Sequence, residues 1–312
     1  MALVIYLGSQ EGLEAARTVL SPPWLVRHVE ANDDAVAAAL KEADALLDAS
    51  MKTRISDAMV QTAPRLKIVS CATTGSDHIA RRVLAQRNVP VRTLKEDPDL
   101  LRNITPAAEL SWALLMACAR NLKGALRHTE SGRWVREEFP GTMLKGKVLG
   151  LIGCGRIGGW MSRYGQAFGM SVLAHDPHQA TLPPGVERRS LQSLVASSDF
   201  VSIHVHLSEE TRGMVSKQLL DQFKHGAIFV NTSRGALVDE VALRDALTDG
   251  RIAAAGVDVL EGEPDVSNHP LVEYARTHDN LIITPHCGGF SPDAVRIVCR
   301  RAAEKIQQVL GG

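Results

Sequence analysis

Apolar and polar positions alternate along the chain in two rhythms. Short, mainly apolar runs at residues 3–7, 45–47, 66–69 and 89–91 are separated by amphipathic stretches such as 34–40 and 79–85. The runs have the length of buried strands, and the stretches between them have room for a helix. Strand and helix in alternation predict βαβ units around a parallel sheet. Residues 106–130 read as one long helix. Beyond it the first rhythm returns at 148–152, 171–174, 200–204, 227–230, 254–257 and 281–283, predicting a second doubly wound sheet of six strands.

Between the two series, residues 95–103 are charged and carry Pro98, which predicts the first crossing between domains. After Thr284-Pro285-His286 the pair Gly288-Gly289 predicts a turn, and Ser291-Pro292 can cap a last helix running towards Val309. Its apolar positions Val295, Val298, Ala302 and Ile306 share one face, so that helix is expected to return to the first domain. The expected division is therefore 1–100 with 288–312, and 101–287. A length of 312 residues exceeds what one core usually supports, which agrees with two domains.

Charge narrows the range of partners. With 35 basic and 35 acidic side chains, nothing in the chain attracts nucleic acid or an anionic membrane surface. The opening apolar run has no basic leader or cleavage pattern and reads as a strand rather than an export signal. No apolar stretch is long enough for a bilayer. Five cysteines, at 71, 118, 154, 287 and 299, include no C-x-x-C pair, so neither a disulfide framework nor a zinc ribbon is expected and a reducing cytoplasm fits.

Chemistry first shows at Gly153-Cys154-Gly155-Arg156-Ile157-Gly158, a G-x-G-x-x-G placed between the apolar run 148–152 and a helix beginning near Arg156. Glycines there allow the tight turn, the close approach of backbone to a pyrophosphate, and helix-on-strand packing, while the helix N-terminus supplies N–H donors. Asp176 ends the next predicted strand, where a ribose-binding acid belongs. It would accept from ribose hydroxyls and repel a 2′-phosphate, so NAD is expected over NADP, with His175 and His178 offsetting part of that repulsion.

Three further clusters each follow a predicted strand: Asn231-Thr232-Ser233-Arg234-Gly235, then Asp258 with Glu261-Gly262-Glu263-Pro264, then Thr284-Pro285-His286-Cys287-Gly288-Gly289. In open α/β sheets ligands bind beyond these strand ends. On these motifs, with Lys145-Gly146-Lys147 and Phe168-Gly169-Met170, the chain resembles the D-isomer-specific 2-hydroxyacid dehydrogenases. That group includes D-lactate, glycerate/hydroxypyruvate and phosphoglycerate dehydrogenases. The resemblance implies an α/β fold of two doubly wound parallel-sheet domains, a Rossmann NAD domain inserted in a flavodoxin-like substrate domain, and a homodimer. It implies hydride transfer between NAD(H) and a small D-2-hydroxy or 2-keto acid.

By the same resemblance, Arg234 grips the substrate carboxylate and adjacent carbonyl, for which its planar fork suits it. His286 is the general acid and base, a role that an unperturbed imidazole can serve in both directions. Glu263 orients the imidazole and favours its charged form, with Glu261 as the competing carboxylate. Asp258, Thr232, Thr105 and His204 match cofactor positions beside Arg156 and Ile157. His206 stands where the family usually has proline. The His204/His206 pair at i and i+2 would share a strand face and could suggest a metal, but no third ligand is evident and none is expected.

In the first domain, Ala72-Thr73-Thr74-Gly75-Ser76-Asp77 resembles the turn whose amides hold the substrate carboxylate, with Thr74 and Gly75 as donors. Thr73 replaces a common glycine and Ala80 a common Asp. Cys71 and Ser50 stand where phosphoglycerate dehydrogenases carry arginines, and the chain ends before any appended regulatory domain, so phosphoglycerate is disfavoured. Trp112, Trp134, Trp160 and Met116 are expected in packing or the dimer contact. Two rival readings are an NAD-sensing co-regulator of the same fold and a dehydrogenase of formate or phosphite.

Overall fold

The computed structural model describes residues 2–311. The chain divides into two compact units, one holding the residues up to Ile104 together with those from Phe290 onward, the other Thr105–Gly289.

The first unit is built on five parallel strands: β1 (Leu3–Leu7), β2 (Leu25–His28), β3 (Ala45–Asp48), β4 (Ile68–Cys71) and β5 (Val91–Arg92). Their order, β2-β1-β3-β4-β5, is the flavodoxin-like winding. β3 and β4 are wholly buried, which is why apolar residues dominate them. β2 gave no such signal, because it lies at the sheet edge and only Val26 among its four residues is buried. Leu66 and Val89 are core residues that precede their strands rather than join them, since pairing starts at Ile68 and Val91. Apolarity marked their burial and not their hydrogen bonding.

The helix Pro292–Leu310 belongs to this unit. Ser291 Oγ accepts from Ala294 N at its start, and Val295, Cys299, Ala302 and Ile306 pack in one core with Val4, Tyr6, Leu47 and Ile68. Lys305, only 3% exposed, is held by Asp97 at 2.5 Å, and Arg301 donates to the other oxygen of the same carboxylate at 2.6 Å. These bonds keep residues 94–101, a 3₁₀ turn and the short helix Pro98–Leu101, inside the first unit. The crossing accordingly falls after Ile104, a few residues beyond the charged stretch.

The second unit carries seven parallel strands: β6 (Val148–Ile152), β7 (Ser171–His175), β8 (Val186–Arg188), β9 (Phe200–Ile203), β10 (Ala227–Asn231), β11 (Ile252–Val257) and β12 (Leu281–Ile283). They are ordered β12-β11-β10-β9-β6-β7-β8. The winding reverses between β6 and β9, the switch point at which ligands bind in such sheets. β8 is the strand the apolar pattern did not mark, an edge strand whose Glu187 and Arg188 are exposed. The expected helix 106–130 is two helices, Pro106–Ala119 and Leu122–Glu130. Asn121 between them has φ 50°, a left-handed conformation that ends the first helix and that Asn tolerates. Pro106–Ala119 is apolar on more than one face because it packs against β10, β11 and the helix Arg156–Ala167. At Gly256 of β11 a Cβ would come within 2.8 Å of Leu114 Cβ, so that helix lies close on the sheet. Among the described residues no helix is long and apolar enough to cross a membrane.

Candidate active site

The switch point holds the glycine-rich loop. Gly153 follows β6 with φ +89°, and a Cβ there would sit 2.5 Å from His204 O, past the end of β9. A Cβ on Gly158 would lie 2.2 Å from Gly153 O, whereas one on Gly155 would meet nothing within 4 Å. Two of the glycines are thus required by the protein's own backbone, and the third opens onto free space. Gly155 caps the helix Arg156–Ala167 without any side-chain hydrogen bond, so the first turn presents the N–H groups of Arg156, Ile157 and Gly158 where an anion would sit. Desolvation lowers the pKa of the Arg156 guanidinium, but an Arg stays charged at neutral pH.

Asp176, directly after β7, is 9% exposed and already engaged. Its Oδ2 accepts from Cys154 N at 2.8 Å, and its Oδ1 from His178 N at 3.0 Å and Gln179 N at 3.1 Å. The carboxylate therefore braces the glycine loop, and of its roughly four acceptor positions one is left for a ribose hydroxyl. These features fit a dinucleotide: a cradle free of Cβ atoms, an uncapped helix start, and a fixed acid one strand away.

His204 lies beyond β9, with Nε2 at 2.8 Å from Ser202 Oγ and a buried Nδ1 that has no partner. Burial pushes its pKa down to about 3, so the ring is neutral. Because β9 ends at Ile203, the strand-face geometry that suggested a metal at His204 and His206 does not apply.

Arg234 follows β10 in a turn organised by Asn231, which is 2% exposed. Asn231 Oδ1 accepts from Ser233 N, its Nδ2 donates to Arg234 O, both at 2.9 Å, and Ser233 Oγ reaches Ile203 O at 2.8 Å. Gly235 lies so near the next turn that a Cβ would be 2.1 Å from Glu261 N. The half-buried Arg234 is therefore set by an Asx turn on one side and backbone contact on the other.

His286 meets Glu263, not Glu261: His286 Nδ1 and Glu263 Oε1 are 2.5 Å apart, each side chain about 30% exposed. Glu261 points away and pairs with Arg212 at 3.4 Å, exposed to water. With Nδ1 on the carboxylate, Nε2 is the nitrogen left for a reacting oxygen. His286 has φ 52°, and the backbone around it is held from Asp258. Asp258 O accepts from His286 N at 2.8 Å. Its Oδ1 accepts from Thr284 Oγ1 at 2.5 Å and Cys287 N at 2.9 Å, and its Oδ2 from Gly288 N at 2.7 Å. Asp258 is 1% exposed, so its carboxylate serves the turn bearing His286, which its position in the motif did not reveal.

Thr232 and Thr105 are also placed by the second unit's own bonds. Ser111 Oγ donates to Ala107 O, so its 2.6 Å contact with Thr232 Oγ1 is a bond donated by the threonine. Thr105 Oγ1 donates to Glu109 at 2.5 Å. In the first unit the turn after β4 holds Thr74 and Gly75, whose amides meet no acceptor among the described residues of that unit. Thr73 Oγ1 closes the turn on Gly75 O at 2.7 Å. Cys71 ends β4 fully buried, and Ser50 donates to Asp48 Oδ1 at 2.9 Å. Asn231, Ser111, Glu240 and His269 were not singled out as site residues. Only Asn231 left a trace, as a turn former opening the Arg234 motif.

The model of the family described as "D-isomer specific 2-hydroxyacid dehydrogenase, NAD binding domain" matches residues 112–288. A hydroxypyruvate reductase of Thermotoga maritima is 34% identical over 87% of this chain and 86% of its own length. A D-3-phosphoglycerate dehydrogenase of Mycobacterium tuberculosis is 38% identical over the whole chain, which spans only 58% of that relative. Among solved structures, the TT0316 protein of Thermus thermophilus superposes with a TM-score of 0.87 at 31% identity, covering 100% of this chain and 97% of that one. The chain belongs to the D-isomer specific 2-hydroxyacid dehydrogenase family, and its second unit is the family's NAD-binding domain.

Proposed function

We propose that this chain is an NAD-dependent dehydrogenase of a small, unphosphorylated D-2-hydroxy acid, working on the corresponding 2-keto acid in reverse. The observation that carries the reading is the 2.5 Å contact of His286 Nδ1 with Glu263 Oε1, which leaves Nε2 unspent. Bound NADH would supply the hydride. His286 Nε2 gives its proton to the carbonyl oxygen of the keto acid, and takes it back from the hydroxyl in oxidation. Glu263 keeps the ring oriented through its contact with Nδ1. Arg234 offsets the charge growing on that oxygen and binds the carboxylate. Asp258 holds the turn from beneath, and Arg156, Ile157 and Gly158 offer N–H groups to the pyrophosphate. Thr232, Thr105 and His204 are assigned to the cofactor, and the Thr74 and Gly75 amides to the substrate carboxylate.

An unphosphorylated substrate is favoured by the first unit. Cys71 is buried and Ser50 Oγ is spent on the Asp48 carboxylate, so neither position, where the resemblance places arginines in phosphoglycerate dehydrogenases, offers a cation to a phosphate. The segment after Leu122–Glu130 exposes Trp134, Val135 and Met143, with Trp134 89% exposed, and is assigned to contact with a second copy in a homodimer. Five free cysteines suit a reducing cytoplasm.

The test is NADH oxidation with glyoxylate, hydroxypyruvate, phosphorylated hydroxypyruvate and bulkier 2-keto acids, alongside NAD reduction with formate and phosphite. Turnover of the unphosphorylated keto acids is expected. Preference for the phosphorylated one overturns the substrate class, and turnover of formate or phosphite alone overturns the reaction.

A further inference from the structure

The turn that carries Glu263 closes on itself only by long bonds, Leu260 N to Glu263 Oε2 at 3.3 Å and Glu263 N to Leu260 O at 3.5 Å. Gly262, at φ +88°, makes the bend, and Glu261 and Pro264 on either side are exposed. A cavity of about 440 Å³ borders it, lined by Arg212, Glu240, Glu261 and His269 among others, so apolar packing does not fix it from that side. Yet a catalytic constellation needs its parts held to within a fraction of an ångström.

Two side chains that no motif pointed to supply the anchor. Glu240 opens the helix Glu240–Thr248, and its Oε1 accepts from Glu261 N at 3.0 Å. Its Oε2 lies 2.8 Å from His269 Nε2. Both side chains are nearly buried, 12% and 11% exposed. His269 caps the helix Pro270–Thr277, its Nδ1 accepting from Leu271 N at 3.2 Å. A ring nitrogen that accepts carries no proton, so His269 is neutral, protonated at Nε2, and donates to Glu240. The chain from Arg234 to Glu240 thus touches the turn twice, through Gly235 against the Leu260–Glu261 peptide and through the Glu240 carboxylate.

We propose that Glu240 and His269 are positioning residues for the reaction: together they form a strut that fixes the turn 260–264, and through Glu263 the orientation of the His286 imidazole. The proposal rests on the roles given above to Glu263 and His286. Glu240 has two acceptor oxygens with one task each, backbone and imidazole. His269 ties that carboxylate to a helix start, so the strut ends on rigid structure. Neither residue touches substrate or cofactor, and both act through Glu263.

The experiment is a double-substitution cycle, assayed with NADH and the keto acid turned over fastest in the panel above. Glu240→Ala is expected to lower kcat about tenfold, with KM for the keto acid and the NADH dissociation constant within about twofold of wild type. Glu240→Gln keeps one acceptor and should recover part of the loss. In a Glu263→Gln background, Glu240→Ala should cost less than about a further twofold, because the part it positions is already gone. If Glu240→Ala does not fold, the cycle is run with Glu240→Gln. Losses that multiply in full across the cycle, or a wild-type kcat in Glu240→Ala, overturn the strut. His286→Asn is measured beside them. Wild-type turnover there overturns the underlying site reading, whereas an inactive His286→Asn with multiplying losses overturns the strut alone.

Discussion

Each unit of this protein holds a histidine against a carboxylate at 2.5 Å, and in both the acid or the histidine lies at or beyond the carboxyl end of parallel strands. In the second unit it is His286 with Glu263, in the first His78 with Asp48. The surroundings separate them. Asp48 is 1% exposed, and its Oδ1 also accepts from Ser50 N, Ser50 Oγ and Met51 N. His78 is 12% exposed, with Nδ1 buried and unpartnered. The acid of that pair is spent on its own loop, and the spare nitrogen is buried out of reach of a ligand. His286 and Glu263, each about 30% exposed, keep a nitrogen for something else. A histidine–carboxylate contact is thus no sign of chemistry by itself. Spare hydrogen-bonding capacity in reach of a ligand is the better sign.

The largest effect that would sharpen this contrast is on turnover. His286→Asn should lower kcat by about 10³-fold, within the range for loss of a general acid, while NAD binding and thermal stability stay near wild type. A melting temperature lowered as much as the activity would make the second pair structural as well. Next comes Asp48→Ala, expected to cost about 3–5 kcal/mol because it strands a buried imidazole and two amides. Thermal unfolding, with activity at low temperature on the keto acid turned over fastest, measures it, and lost catalysis without lost stability would erase the distinction.

Asp176 stands between the two pairs, with three acceptor positions spent on backbone and some capacity left. Asp176→Ala should reduce the preference for NAD over NADP about tenfold, or about 1.4 kcal/mol. An unchanged kcat/KM ratio for the two cofactors would assign the carboxylate wholly to the loop.

The smallest effect is acid sensitivity in the first unit. Burial would raise the Asp97 carboxyl, but hydrogen bonds from Lys305 and Arg301 and their charges outweigh it and hold it below the usual carboxylate range. A carboxyl depressed in the folded state adds stability above its unfolded value, about 3.9, and loses it as pH falls through the folded one. The melting temperature should therefore fall below about pH 4, and Asp97→Asn should flatten that part of the profile. An identical acid limb in the variant would show that other carboxylates govern it.

Legibility followed burial. β3, β6, β9 and β10 were readable because both faces of each strand are covered, which makes most of their residues apolar. β2 and β8 were not, because edge strands show water most of their side chains. The break at Asn121 was hidden because one left-handed residue interrupts a helix without disturbing its apolar spacing. At the site, Arg234, Glu263 and His286 were legible through local motifs, and so was the glycine loop. The choice between Glu261 and Glu263 rested on resemblance until the turn geometry put one carboxylate against His286 and the other in water.

The amino-acid sequence alone determined most strands of the two parallel sheets, the glycine-rich loop and the motifs that hold the candidate site residues, because each is written in neighbours within a few positions. Only the tertiary structure decided which carboxylate meets which histidine, that Asp258 and Asp176 spend most of their oxygens on backbone amides, and that Glu240 and His269 brace the turn of Glu263. Apart from the bonds of Asp176 to His178 and Gln179, those contacts join residues some 20 to 30 positions apart, and their selectivity comes from burial and from which hydrogen-bonding positions are already filled. No local pattern encodes either quantity.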